Sequence, residues 1–248
     1  MKSKVEISAT IVLYNENVKD LEKTINSLLK SSIKKHLFLI DNSPKSTSIL
    51  KDLKEDGITY MKNKKNIGFG AAHNLILDKI NSEYHLVLNP DVEFDARILI
   101  DLIKKLEQNK NLSMVSPEVI YPNGNLQYTC RKNPTIKQLI SRKTGLFKNY
   151  FLNSHYLDKD LSKPFHPEFI HGCFMLFRTQ DFIKLKGFDE RYFLYMEDAD
   201  ICRKIYQSKK KILYYPEVQI THIHRTESAK KANLFIQHIS SAIKYFRK

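Results

Sequence analysis

The chain alternates between two hydrophobic rhythms. Val5 to Leu13 is a nearly continuous apolar run, the pattern of a parallel strand covered on both faces. Val18, Leu21, Ile25, Leu28 and Leu29 then recur at helical spacing. His36 to Ile40 reads as a second strand ending at Asp41, followed by helical spacing at Ile49 and Leu53 and a short strand from Ile58 to Met61. Phe69, Ala72, Ile76 and Ile80 mark another helix, and Tyr84 to Leu88 a strand. Ile98, Leu99, Leu102, Ile103 and Leu106 mark a helix, and Ser113 to Val119 a further strand. This alternation predicts a doubly wound α/β sheet.

The second half is less regular. Residues 132–166 are basic and aromatic with few clear periods, and read as a helix plus a mobile loop. Phe169 to Phe177 reads as one strand, Glu197 to Ser208 as a helix, Ile212 to Tyr215 as a strand, and Ala229 to Phe246 as an amphipathic helix. Neither an internal repeat nor a low-complexity linker interrupts the 248 residues, so a single domain is expected.

Composition narrows the setting. No run of 18 apolar residues is present and Met1 to Glu6 lacks a signal-peptide pattern, so a cytoplasmic protein is expected. Cys130, Cys173 and Cys202 are odd in number and widely spaced, which suits a reducing compartment and argues against disulfides or structural zinc. The net charge is +14, but only 8 of the 41 basic residues are Arg. That balance leaves two readings open, a solvated lysine surface or a face for an anionic partner. The scarcity of Arg, whose planar fork suits phosphate and base recognition, argues against a nucleic-acid binder.

In open α/β sheets ligands bind beyond the carboxyl ends of the strands. Polar residues stand at three such ends: Tyr14-Asn15-Glu16, Asp41-Asn42-Ser43 and Asn89-Pro90-Asp91. Taken singly, each also reads as the start of a turn. Asn66 to Asn74 holds two of the chain's 7 Gly but has His73 where a dinucleotide fingerprint needs a third. A backbone that lets a nucleotide approach closely is the better reading. Glu197, Asp198 and Asp200 open a helix, where carboxylates complement the dipole. The preceding turn and aromatic run, Gly187 to Phe193, can present them at a cleft as candidate general bases. His222 and His224 lie two apart on a strand and so share a face, a pair able to bind a divalent metal. Arg225 and Ser228 follow, both able to contact phosphate.

Seven stretches occur in a familiar order: TIVLYNE (10–16), LIDNS (39–43), NIGFGAAHN (66–74), HLVLNPDVEF (85–94), HGCFMLFRT (171–179), GFDERYFLYMEDADICRK (187–204) and YYPEVQITHIHR (214–225). With them the chain resembles family 2 glycosyltransferases, and among these the bacterial rhamnosyltransferase-like enzymes of capsule, O-antigen and cell-wall glycan assembly. The resemblance spans most of the chain except roughly residues 132–166. It implies a GT-A fold, a Rossmann-like, mixed and mostly parallel sheet flanked by helices. Residues 1–228 would form that domain, with a nucleotide-binding half (1–120) and an acceptor-binding half (121–228), and residues 229–248 a C-terminal helix. It also implies an inverting transfer from a nucleotide-sugar donor, with Mg²⁺ or Mn²⁺ as cofactor. Tyr14, Asn15, Glu16 and Asp41 match nucleoside-holding positions. Asn66, Gly70 and Asn74 match the nucleotide-side loop and helix, and Asn89 and Arg225 complete the donor set. Asp91 matches the last acid of a DxD metal motif whose first acid is here Asn89, which raises the importance of donor phosphates and of His222, with His224 in reserve. Asp198 matches the catalytic base, with Glu197 and Asp200 in reserve.

The acceptor is expected over His171, Gly172 and Tyr195. It would be a glycan or lipid-linked glycan. dTDP-rhamnose is the first-guess donor, with UDP-hexose or UDP-N-acetylhexosamine as alternatives. A nucleotidyltransferase would need a glycine- and Arg/Lys-rich phosphate loop near the first strand, and Tyr14-Asn15-Glu16 is not one. The basic, amphipathic tail around Phe235, Ile239, Ile243 and Phe246 suits either an anionic membrane leaflet or ordinary packing.

Overall fold

The computed structural model describes residues 5–45, 56–138, 154–223 and 232–248. The helix read at Ile49 and Leu53, residues 139–153 of the 132–166 segment, His224, Arg225 and Ser228 lie outside these residues.

Ten strands and six helices are described. The strands are β1 (Val5–Leu13), β2 (Lys35–Asp41), β3 (Ile58–Lys62), β4 (Ser82–Leu88), β5 (Val92–Glu93), β6 (Leu112–Ile120), β7 (Cys130–Arg131), β8 (Phe169–Ile170), β9 (Phe174–Arg178) and β10 (Lys211–His222). The helices are α1 (Val18–Leu29), α2 (Phe69–Asn74), α3 (Ile98–Gln108), α4 (Thr179–Lys184), α5 (Glu197–Gln207) and α6 (Ala232–Phe246). Eight strands form one sheet in the order β3-β2-β1-β4-β9-β6-β10-β5, and β7 pairs with β8 in a separate ribbon. Strands β1 to β4 pair in parallel, as do β6 and β10, while β9 runs antiparallel to β4 and β6, and β5 antiparallel to β10. The sheet is thus mixed and mostly parallel, as expected.

Its apolar strands are continuous because both faces are covered. Ile7, Ile11, Leu13, Leu37, Leu39, Leu86 and Leu88 pack against α1 and α3 on one face. Val12, Phe38, Ile40 and Val87 face α2, Phe182 and α5 on the other. Successive side chains point to opposite faces, so a strand between two helical layers must be apolar throughout. Helix α1 begins at Asn17, whose side chain accepts hydrogen bonds from the backbone N–H groups of Lys19 and Asp20, meeting two of the helix's otherwise unpaired donors.

Three segments differ from the sequence reading. Phe169 to Phe177 is not one strand: the chain leaves the β7–β8 ribbon at His171-Gly172 and enters the main sheet as β9. Backbone partners decide this, since His171 N–H donates to Thr129 O while Asn89 N–H donates to Cys173 O. Helix α2 stops at Asn74, after which bonds such as Leu77 N–H to Asn74 O tighten the chain; Ile76 and Ile80 are still buried. Strand β10 runs on to His222, accommodating Pro216 at a register shift between Tyr215 and Gln219. The residues there form a bulge that breaks the apolar period. Among the described residues, no helix is long and apolar enough to cross a membrane.

Candidate active site

The parallel strands β1, β2, β4, β6 and β10 end on one side of the sheet, and β9 begins there, with Leu88 opposite Phe174. The chain places β2 on one side of β1 and β4 on the other, which opens a crevice at their carboxyl ends.

Asp91 follows β4 and His222 ends β10. The β5–β10 pairing sets Val92 opposite His222, and Ile223 N–H donates to Asp91 O. His222 Nε2 lies 3.2 Å from Asp91 Oδ1, with His222 buried and Asp91 19% exposed at the cleft. Gln127 orients the imidazole. Its Nε2 donates to His222 O at 2.6 Å, so its Oε1 is the end that faces His222 Nδ1 at 3.0 Å. An amide oxygen can only accept, so the proton sits on Nδ1 and Nε2 is aimed at Asp91. Burial of His222 opposes a second proton, but Cys173 and Asp91 beside it outweigh that and push the group up to about 10, so a cation bound at Nε2 would displace that second proton.

This pair fits a divalent cation. Two donors bound cis at about 2.1 Å in an octahedral shell are about 3 Å apart, close to the observed separation. The imidazole is held by an outer hydrogen bond, as metal-bound histidines are. Among the described residues no group of three or more His, Cys, Asp or Glu side chains could hold a metal ion, so Asp91 and His222 would need ligand oxygens to complete a shell.

The ring of His171 lies 6.3 Å from that of His222. Next in sequence, Gly172 donates its N–H to Asp198 Oδ2 at 3.3 Å, and Ala199 N–H donates to Asp198 Oδ1 at 2.8 Å. Each carboxylate oxygen keeps a lone pair for a further donor. Asp198 is half-buried. Burial raises its carboxyl above the usual range, against the pull of the two N–H groups and of Arg131. A chain of neighbours thus runs from Asp91 and His222 past His171 to Gly172 and Asp198.

The turn before Asp198 is bent to present it. Tyr195 and Met196 both have positive φ, 71° and 70°, a left-handed conformation disfavoured for residues with a Cβ. The neighbouring loop holds them there. Gly68 packs against the Phe193 backbone, Phe69 N–H donates to Phe193 O, and Gly70 packs against Phe188.

The other expected residues have definite places. Asn74 grips the turn rather than facing the cleft: its side chain donates to Phe188 O and Glu190, and accepts from Phe188 N–H. Asp41 is fully buried, bonded by Tyr60 and Ser43 N–H and paired with Lys62 at 3.2 Å; these contacts hold its carboxyl below the usual value against the opposing effect of burial. Tyr14 is exposed, Asn15 N–H donates to Ser43 Oγ, and Glu16 caps Tyr14 N–H. Asn66 accepts from Gly68 N–H, and Asn89 joins β4 to Cys173. Glu197 is buried with Oε2 unpartnered among the described residues, and burial with the adjacent Asp198 pushes it up to about 8. Asp200 turns away, buried and bonded by Arg203 and Lys248. Tyr195 stacks edge-on against His238 of α6. A surface cavity of about 560 Å³ between Asn133, His166, Glu168 and Arg203 contains none of these residues. Gln127 and Arg131 carried no sequence signal, since each gains its role from a partner far away in the chain.

A carboxylate–imidazole pair and a second carboxylate thus stand at the sheet's carboxyl edge. Residues 8–186 match glycosyl transferase family 2, and residues 157–229 match the N-terminal domain of galactosyltransferase. The chain belongs to glycosyl transferase family 2. This membership replaces the nucleotidyltransferase and nucleic-acid alternatives.

Rhamnosyltransferase WbbL of Escherichia coli is 26% identical, covering 85% of this chain and 82% of its own length. The low-salt glycan biosynthesis hexosyltransferase Agl10 of Haloferax volcanii is 25% identical, covering 87% and 65%. N-acetylglucosaminyl-diphospho-decaprenol L-rhamnosyltransferase of Mycobacterium tuberculosis is 25% identical, covering 72% and 63%. The chain thus spans under two thirds of the length of the last two. In fold it is similar to GalNAc-T7, solved with UDP, GalNAc and Mn²⁺ (TM-score 0.68, 19% identity, 90% of this chain and 44% of that one). It is also similar to the mannosyltransferase PcManGT of Pyrobaculum calidifontis, solved with GDP-Man and Mn²⁺ (TM-score 0.65, 16% identity, 98% and 65%). The fold is GT-A.

Proposed function

We propose that this chain is an inverting, metal-dependent glycosyltransferase that moves a sugar from a nucleotide-diphosphate donor to a hydroxyl of a glycan or lipid-linked glycan. The observation that carries the reading is the line from the Asp91–His222 pair through His171 and Gly172 to Asp198. It sets a cation-binding pair for the donor's phosphates beside a base for the acceptor.

Mg²⁺ or Mn²⁺, held by Asp91 and His222, would offset the charge developing on the departing nucleoside diphosphate. Asp198 takes the proton from the acceptor hydroxyl. The oxygen's electron pair forms the new bond to the anomeric carbon, and the electrons of the broken glycosyl–phosphate bond leave on the diphosphate. Single displacement inverts the anomeric centre. Gly172 and Ala199 hold the carboxylate without occupying all of its acceptor sites, and a base so placed contributes about 10²–10⁴ in rate. Tyr14, Asn15, Glu16 and Asn66 line the donor side, with Asp41 and Asn74 shaping it from behind. His171 and Tyr195 line the acceptor side. Arg225 and His224 extend the donor and metal sets. Residues 1–120 serve the donor and 121–228 the acceptor, with His222, His224 and Arg225 reaching back to the donor side.

dTDP-rhamnose is the first donor to test, because two of the relatives above are named rhamnosyltransferases. UDP-hexoses and UDP-N-acetylhexosamines follow. On this reading the enzyme works in the cytoplasm at the inner face of the plasma membrane. The test is a thermal-shift panel of nucleotide sugars with and without Mn²⁺, since a ligand of the native state raises Tm. Asp198→Asn is then measured with the donor selected. Turnover falls by about 10²–10⁴ while donor affinity stays within about twofold; wild-type turnover removes Asp198 from the mechanism.

A further inference from the structure

Helix α6 has two faces with different occupants. Its inner face holds the turn that presents Asp198. Ser241 Oγ donates to Leu194 O, Lys244 Nζ donates to Arg191 O, and Lys248 Nζ bonds Asp189 and Asp200. Ser241, Ala242 and Tyr245 on this face are buried, and the Arg203 guanidinium lies 4.0 Å from the centre of the Tyr245 ring.

On the outer face, Ile236, Ile239, Ile243 and Phe246 are 62%, 43%, 47% and 36% exposed. At about 100° per residue these four fall within roughly 80° of arc and extend about 15 Å along the axis. The sequence expectation of ordinary packing therefore holds for the inner face alone. Four large apolar side chains on one exposed stripe mark a surface for a partner.

We infer that this outer face docks onto an anionic lipid bilayer, its apolar side chains entering the headgroup boundary with α6 lying in the membrane plane. Charge selects this occupant. Residues 232–248 contain no Asp or Glu; Lys244 and Lys248 are taken up by the inner turn, Arg247 is left to the outer side, and the whole chain carries +14. Arg247 is exposed and, four residues on from Ile243, borders the stripe. Apolar insertion and attraction to anionic headgroups then act together. A second copy of this chain would bring +14 against +14, which opposes self-association through this face. The docking is independent of the donor sugar. Resting on the function proposed above, it would hold the Asp198 turn next to the membrane, where a lipid-linked acceptor is presented.

The test is co-sedimentation of the full chain with vesicles of phosphatidylcholine alone or with about 30% phosphatidylglycerol, enough to give the surface a negative potential. Binding is expected only to the anionic vesicles. Ile236→Ser/Ile239→Ser/Ile243→Ser should weaken it at least about tenfold with Tm unchanged, because the three positions are exposed. The chain has no Trp, so Ile239→Trp places a single reporter, whose emission should shift to the blue on anionic vesicles. That variant answers the question even if the triple variant fails to fold. No sedimentation with anionic vesicles, binding indifferent to the triple substitution, or an unshifted emission from the Ile239→Trp variant overturns the inference. A dimer by light scattering that the triple substitution dissolves also overturns it, in favour of a second copy.

Discussion

Gly68 tests how the cleft is held together. Its φ is +93° and its ψ 171°, a region essentially restricted to Gly. A Cβ built there would stand 2.4 Å from the Phe193 carbonyl oxygen, where real Cβ contacts stay beyond about 3.0 Å. Gly68→Ala must therefore push the two segments apart by about 0.6 Å. It also strains the hydrogen bond from Phe69 N–H to Phe193 O. The backbone conformation costs about 1–3 kcal/mol, and the weakened bond adds about 1 kcal/mol. In a domain of this size, about 2–4 kcal/mol lowers Tm by roughly 5–15 °C. Phe193 lies five residues before Asp198, so the displacement reaches that carboxylate, and with Asp198 as the proposed base a shift of this size costs roughly tenfold or more in turnover. Gly124→Ala is the control. Its φ is +83°, but nothing lies within 4 Å of the added Cβ, so it carries backbone strain without displacement. Calorimetry and nucleoside-diphosphate release, run on both variants with the donor chosen by the panel, separate the two effects. Equal Tm losses and equal turnover in the two variants would refute the claim that contact with Phe193 positions the Asp198 turn.

Other outcomes follow from the same geometry. Gln127→Leu removes the partner of His222 Nδ1 and leaves His222 O without its donor; Mn²⁺-dependent donor affinity by calorimetry should fall about 10–100-fold, and an unchanged affinity would show that the ring needs no outer support. Asp198 must be ionised to act as a base, and burial raises its carboxyl. The acid limb of kcat should therefore lie above the usual aspartate range, and a limb at or below it would count against a buried base. Glu197 is pushed from 4.5 to about 8 by folding. Its contribution to stability is complete below about pH 4.5 and is lost as pH rises through about 8. Glu197→Gln should thus gain Tm relative to wild type progressively from about pH 5 to 8, whereas a pH-independent difference would mean the group is not buried as a neutral acid.

Much of this protein was legible in its residues. Continuous apolar runs such as Val5 to Leu13, broken by helical spacing, dictate strands covered on both faces, because local periodicity is a property of neighbouring residues. Asp91, Asp198 and His222 could be picked out by chemical type and by their places at element ends. The tertiary structure alone decided how the carboxylates are surrounded. Asp198 and Asp200 stand two residues apart on one helix, yet the first meets Gly172 while the second is locked by Arg203 and Lys248. The antiparallel entry of β9 that carries His171-Gly172 to the site, and the hold of Gln127 on His222 across 95 residues, leave no trace in any local pattern. Pairing over such separations depends on how whole elements pack. The hydrophobic rhythm specifies that a strand is covered, and the packed neighbours determine what stands at its end.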